Sequence, residues 1–338
     1  FLFMKNIGKI AFVIIGTLIG AGFASGKEIY LFFGQYSNYG KIGIVISGIL
    51  TGVIINKVLI LVKENNINSY DELLREINPK YKMINKMVNV IVNMFLLISF
   101  YIMIAGFSAY IKQTYSIPIY ISSAVFVIIC YSVFIKSIKG VIKANEILVP
   151  ILVILIAYLG LKNIPYLFET GSVNTEVKSG WLISSILYAS YNSIILIQVL
   201  TSLKNCIDSR KSIAKIAIFS SAAIIILAFL IYGLLLRGSF YIAELEMPLI
   251  EVTLQFGNVF RYMYGFIIIL SIFTSAISAG YSFLQNVSKN KKQYNFILIV
   301  MCIIGILVSN IGFSKLVEAL YPIFGMLGLV QVAMLLKK

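Results

Sequence analysis

Histidine is absent from the 338 residues, tryptophan occurs once, and only 12% of the chain is charged. Without an imidazole there is no histidine general base and no histidine metal ligand. Cysteine is nearly as scarce. Cys130, Cys206 and Cys302 stand alone in the sequence, with neither a metal-ligand spacing nor a disulfide framework, and read as small apolar packing residues. No nucleophile–base pairing replaces them, so the chain is not expected to be an enzyme and no cofactor is implied. What remains is apolar: 60% of the residues are hydrophobic and the mean hydropathy is +0.96. That composition defines an all-α integral membrane protein whose solvent is the lipid bilayer.

Acidic residues are also few, 13 against 28 lysines and arginines, for a net charge of +15. Such a balance would suit a nucleic-acid partner, but the basic residues gather at the ends of apolar runs, so no nucleic acid is expected. Ten runs can be delimited, roughly 8–35, 40–62, 86–112, 117–135, 143–161, 180–203, 212–236, 259–287, 293–310 and 314–336. Most reach the ~20 residues a bilayer requires. With the N-terminus in the cytoplasm, 19 of the 28 basic residues fall inside and seven outside, with Lys27 and Lys57 within helices. The positive-inside rule thus places both termini in the cytoplasm of a bacterial plasma membrane. The first run lacks a small-residue cleavage site, so no cleavable signal peptide is expected. Residues 63–85 read as a cytoplasmic amphipathic helix, and 237–258 as a short external helix able to cap a vestibule.

The first run contains Gly16-Thr-Leu-Ile-Gly20-Ala-Gly22-Phe-Ala-Ser-Gly26-Lys-Glu28. Each of its four glycines costs a helix roughly 1 kcal/mol relative to alanine. In hydrocarbon, backbone that leaves the helix must find partners in protein or in a water-lined cavity. Two readings follow from the residues: a helix broken around a ligand, or small-xxx-small packing through Gly16/Gly20 and Gly22/Gly26.

An internal repeat favours the break. Glu146-Ile-Leu-Val-Pro150-Ile-Leu aligns with Glu318-Ala-Leu-Tyr-Pro322-Ile-Phe at an offset of 172, and the same offset lays runs 1–4 on runs 6–9. It carries Gly20 onto Asn192, within the polar hexapeptide Tyr188-Ala-Ser-Tyr-Asn-Ser193. Two five-helix units, 1–161 and 162–338, must have opposite orientations because five is odd. We therefore expect a 5+5 inverted repeat whose helix 1 is broken near 20–26 and whose helix 6 is broken near 189–193, at mid-membrane.

On these residues the chain resembles the amino acid–polyamine–organocation superfamily, whose transporters share the LeuT fold. The Gly20-Ala-Gly-Phe-Ala-Ser-Gly-Lys-Glu28 string looks like that of bacterial YkvI-type membrane proteins, and Ile138–Pro150 resembles the start of helix 5 in sodium-coupled symporters. Glu146 departs from those symporters, which often carry lysine there.

A helix break at Gly20–Gly22 would present amide groups and a positive dipole end to a carboxylate. Carbonyls at a matching break in helix 6 would suit an ammonium group. The candidate substrate-binding residues are Gly20, Ala21, Gly22, Phe23, Ser25, Ala189, Tyr191, Asn192 and Ser193, with Ser99 and Phe100 on the third run. Ser271-Ile-Phe-Thr274-Ser275 puts three small polar residues on one helical face. The resemblance implies that the carbonyls of Gly16, Ile19 and Ser271 and the hydroxyls of Thr274 and Ser275 hold a coupling sodium ion. The residues alone allow the alternative that the hydroxyls bond their own helix. Glu28, Lys27 and Glu146 are candidate coupling or gating residues, since intramembrane charge is costly. Lys27 and Glu28 point about 100° apart on a helix and need not pair. The resulting expectation is a sodium-coupled, less readily proton-coupled, alternating-access transporter of a small amino acid or related zwitterionic or anionic solute. The alternative is a permease-like sensing subunit of the germinant-receptor type, which binds without transporting.

Overall fold

The structure is a computed structural model that describes residues 2–67, 69–135, 138–162, 179–204, 207, 209–236 and 245–337. These residues form helices joined by short connections, with no strand among them. In chain order the helices are α1 (Leu2–Leu18), α2 (Ala21–Ser25), α3 (Lys27–Phe32), α4 (Asn38–Glu64), α5 (Tyr70–Ile77), α6 (Lys82–Tyr115) and α7 (Ile119–Ile135). They continue with α8 (Ile138–Leu161), α9 (Trp181–Ser202), α10 (Arg210–Leu236), α11 (Pro248–Leu254), α12 (Asn258–Val287), α13 (Lys291–Val308) and α14 (Phe313–Lys337).

Seven of these are long and apolar enough to cross a membrane: α4, α6, α9, α10, α12, α13 and α14. Of the other three expected runs, the first is divided into α1, α2 and α3, α7 is an apolar helix of 17 residues, and the last is α8, whose part from Pro150 to Leu161 is apolar. Large apolar side chains such as Ile49, Ile128, Ile218 and Phe296 cover the outside of the bundle. That is the surface a lipid solvent selects.

α1 lies at the centre, packed by α8, α9, α10 and α12. Around it α9 joins α4 and α14, and α12 joins α6 and α8. The repeat offset reappears in the element bounds. Moved by 172, α4 becomes 210–236, the bounds of α10; the end of α6 at 115 becomes 287, the end of α12; and the start of α7 at 119 becomes 291, the start of α13.

The two expected helix breaks have different outcomes. α1 ends at Leu18, Gly20 is extended (φ −91°, ψ −176°), and the helix restarts at Ala21. A second interruption follows at Gly26, where φ is +81°. Only glycine takes that conformation at no steric cost, and a side chain there would also meet Leu249 of α11, whose Cγ would lie 2.7 Å from the added carbon.

The expectation of a break at 189–193 is corrected: α9 runs unbroken from Trp181 to Ser202. Tyr188–Ser193 contains no glycine or proline, and two of its polar side chains bond within the helix. The Asn192 amide donates to the Tyr188 carbonyl at 3.0 Å and the Ser193 hydroxyl to the Ser190 carbonyl at 2.6 Å. Such back-bonding leaves the helical ladder in place and spares these groups a costly exposure to hydrocarbon.

The short helices expected in the connections are present as α5 and α11. Ser69 caps α5 by accepting from the Glu72 amide. Residues 163–178 lie outside the described residues, as do 237–244 of the expected external helix.

Candidate functional site

Breaking α1 frees main-chain carbonyls that a membrane cannot solvate, so the protein must supply donors. Four hydroxyls from neighbouring helices do so. Ser271 of α12 donates to the Ile19 carbonyl at 3.1 Å, and Tyr264 of α12 to Ala24 at 2.7 Å. Ser184 of α9 donates to Phe32 at 2.8 Å, and Tyr232 of α10 to Ser37 at 2.7 Å. The irregular backbone between residues 19 and 37 is therefore pinned from three sides.

Beside the first interruption lies a cavity of about 30 Å³, room for roughly two waters. α1 contributes Gly16, Thr17 and Leu18, and Gly20 borders it at the break. The rest of the lining is Ser99 and Met103 of α6, Tyr191, Asn192 and Ile195 of α9, Ser275, Ser278 and Ala279 of α12, and Tyr321 of α14. Five helices of the fold thus converge on one small space.

Of the expected substrate residues, Gly20, Ser99, Tyr191 and Asn192 line this cavity. Ala21, Gly22, Phe23, Ser25, Phe100, Ala189 and Ser193 are buried but do not. Ser25 donates to the Gly22 carbonyl and accepts from the Lys27 amide, so it builds the turn at Gly26. Phe100 packs edge-on against Phe134.

The expected cation residues also converge. The Ser271 carbonyl accepts from the Thr274 hydroxyl at 3.1 Å while the Ser271 hydroxyl holds Ile19. Gly16 and Ser275 line the cavity, and the buried Ser275 hydroxyl has no hydrogen-bond partner. It lies 3.5 Å from where a side-chain carbon on Gly20 would stand.

Glu28 and Lys27 point to different partners, as their spacing requires. Lys27 is 1% exposed and pairs with Glu318 of α14 at 2.8 Å. Its ammonium also donates to the Leu245 carbonyl at 3.4 Å, in the segment leading to α11. Glu246 of the same segment accepts from the Ser314 amide at the start of α14, 2.5 Å away. α3, α11 and α14 are thereby clasped at one end of the bundle.

Glu28, also 1% exposed, turns back over the broken helix. Its carboxyl lies so close to Gly22 that a side chain on residue 22 would overlap it, meeting Glu28 Cγ at 2.5 Å. The Tyr191 hydroxyl donates to Glu28 Oε1 at 3.2 Å. Tyr321 and the Phe23 amide also face the carboxyl, while Oε2 is buried with no partner in normal hydrogen-bond geometry. The rings of Tyr191 and Tyr321 stack at 4.5 Å, and Phe95 meets Tyr191 edge-on at 5.9 Å. This tyrosine pair touches the cavity on one side and Glu28 on the other.

Glu146 lies on α8, and its side chain is outside the described ones. The residue missed by sequence reasoning is Tyr321. The offset pairs Tyr321 with Val149 beside the repeated proline, which by itself marks no site role. Tyr264 and Tyr232 were missed as well, and nothing in one sequence marks which tyrosines reach across to a broken helix.

An all-helical membrane-length bundle with its first helix interrupted beside a central cavity is a LeuT-like architecture, and solved structures bear this out. MhsT in complex with L-phenylalanine matches with a TM-score of 0.67 at 15% identity, over 96% of this chain and 87% of that one. The manganese transporter of Eremococcus coleocola matches with a TM-score of 0.59 at 15% identity, over 97% and 76%. In sequence, the chain is related along nearly its whole length to two proteins of Bacillus subtilis. The membrane protein YkvI is 28% identical over 343 residues, covering 98% of this chain and 96% of YkvI, and YyaD is 27% identical over 328 residues, covering 96% and 94%. No family model matches the chain. The resemblance to YkvI-type proteins read from Gly20–Glu28 thus extends over the full length, and none of these neighbours is named as an enzyme.

Proposed function

We propose that this protein is a secondary transporter that carries a small ammonium-bearing solute through the cavity at the α1 break. The observation that carries this reading is the break itself, opened beside a small space on which five helices converge. The 5+5 inverted repeat gives the mechanism its symmetry, with units 1–161 and 162–338 supported by the coincident helix bounds at offset 172. α1–α4, α9 and α10 rock against α6, α7, α12 and α13, exposing the cavity to each side in turn. With both termini in the cytoplasm, the Lys27–Glu318 clasp and α11 close the outer path.

Sodium is the proposed coupling ion. It binds oxygen ligands, and the hydroxyl of Ser275, unpartnered and next to Gly20, supports that assignment. On ion binding the Thr274 hydroxyl turns from the Ser271 carbonyl, and both oxygens join the carbonyls of Gly16 and Ile19. A manganese cargo has less support. The chain has no histidine, and among the described residues no group of three Cys, Asp or Glu side chains could hold a metal ion.

The test is uptake into proteoliposomes with and without a sodium gradient. The double variant T274A/S275A is expected to lose sodium dependence. Uptake that stays equally sodium-dependent would overturn the ion assignment, and ligand binding without counterflow would make the protein a sensor.

A further inference from the structure

We propose that the solute is an organic amine lacking a carboxylate, because Glu28 of the protein already fills the place a substrate carboxylate would take. This rests on reading the cavity as the solute site. In a glycine-broken helix the groups that could receive a substrate carboxylate are the amides after Gly20. Here the Glu28 carboxyl lies over Gly22 and faces the Phe23 amide. A carboxyl is thus built into the chain, five residues beyond the amide it faces.

The donors and acceptors around the cavity lead to the same class of ligand. Tyr191 spends its proton on Glu28, Thr17 spends its proton on the Val13 carbonyl at 2.8 Å, and Asn192 directs its amide to Tyr188. Tyr191 and Thr17 then present lone pairs as their remaining polar capacity, and Asn192 its carbonyl oxygen beside one remaining N–H. The amide of Gly20, which borders the same space, is turned to the Leu18 carbonyl at 3.2 Å. No lysine or arginine lines the cavity, and Lys27 is engaged with Glu318 and Leu245. Oxygen lone pairs and two tyrosine rings, with a buried carboxyl directly behind them, attract a cation and repel an anion. The ammonium donates to the Tyr191 oxygen, whose own hydrogen bond to the Glu28 carboxyl leaves its lone pairs facing the cavity. The opening of about 30 Å³ admits a primary ammonium head more readily than a bulkier one.

A matched series tests the charge requirement at constant shape: isobutylamine, L-valine and 3-methylbutanoate, titrated against the purified full-length protein by thermal shift and calorimetry. Isobutylamine is expected to bind at least about tenfold more tightly than valine, and 3-methylbutanoate not at all. Glu28→Gln and Tyr191→Phe should each weaken the amine by about tenfold or more, corresponding to about 1.4 kcal/mol. Two variants are used so that one poorly folded protein does not decide the matter. Valine binding as tightly as the amine, unchanged amine affinity in both variants, or no binding of any member of the series would each overturn the proposal. Exchange of labelled isobutylamine in proteoliposomes separates the two readings: binding without exchange keeps the amine class and removes the carrier.

Discussion

Residues 16–28 and 188–200 occupy equivalent places at the repeat offset, and both depart from the apolar pattern of their helices. The first departs with glycine, the second with serine, asparagine and tyrosine. Only the first leaves the helix. Glycine withdraws side-chain packing and permits φ of +81° at Gly26. Asn192 and Ser193 of α9 donate to carbonyls four and three positions back, and the ladder they were expected to break stays in place. The four carbonyls at positions 19, 24, 32 and 37 are met by foreign hydroxyls, whereas Asn192 and Ser193 of α9 bond carbonyls of their own helix. A broken membrane helix therefore needs glycine where it bends and donors on its neighbours; polarity within the helix is not enough.

The comparison can be put under strain. The largest effect is expected from Gly22→Ala. Its methyl group overlaps the Glu28 carboxyl, so the carboxyl must leave its place, and ligand-induced thermal stabilisation should disappear. A variant that still responds to ligand as the parent does would detach Glu28 from the site. Next comes Gly26→Ala, which forces alanine into left-handed backbone at roughly 1–2 kcal/mol and drives a carbon against Leu249. A melting temperature lowered by several degrees is expected; no change would mean that α3 can be reached without the turn.

Ala189→Gly probes the other half. In a continuous helix it costs about 1 kcal/mol and should leave ligand response intact. If it abolished response as Gly22→Ala does, α9 would have a bend of its own during transport. The smallest effect belongs to Lys27→Met. Glu318, 50% exposed, regains water when its partner is lost, so the penalty is expected to stay near 1 kcal/mol. Accessibility of a cysteine introduced at Ser314 should rise in that variant, and unchanged labelling would show that the clasp does not hold this end closed.

The seven membrane-length helices, the connecting helices α5 and α11 and the break near Gly20 were all legible, because apolar run length and glycine content act locally. Asn192 and Tyr191 were legible as cavity residues, although the reason assigned to them, a second break, was not the one that places them there. Tyr321 was not legible as a site residue. Its role depends on α14 lying against α9, a contact between positions 130 apart in the chain, 191 and 321.

By itself the sequence determined a helical membrane protein whose first helix cannot continue through Gly20–Gly26, since that outcome follows from backbone freedom and desolvation at the residues concerned. It also determined that Lys27 and Glu28 would look in different directions. Tertiary structure alone decided where they look. The packing of α3 against α14 gave Lys27 the carboxylate of Glu318, and the fold of α9 and α14 over the break brought two tyrosines to Glu28. A carboxyl two residues past a glycine turn has no preferred partner in one dimension. It acquires one when Gly22, lacking a side chain, leaves the space into which it can fold.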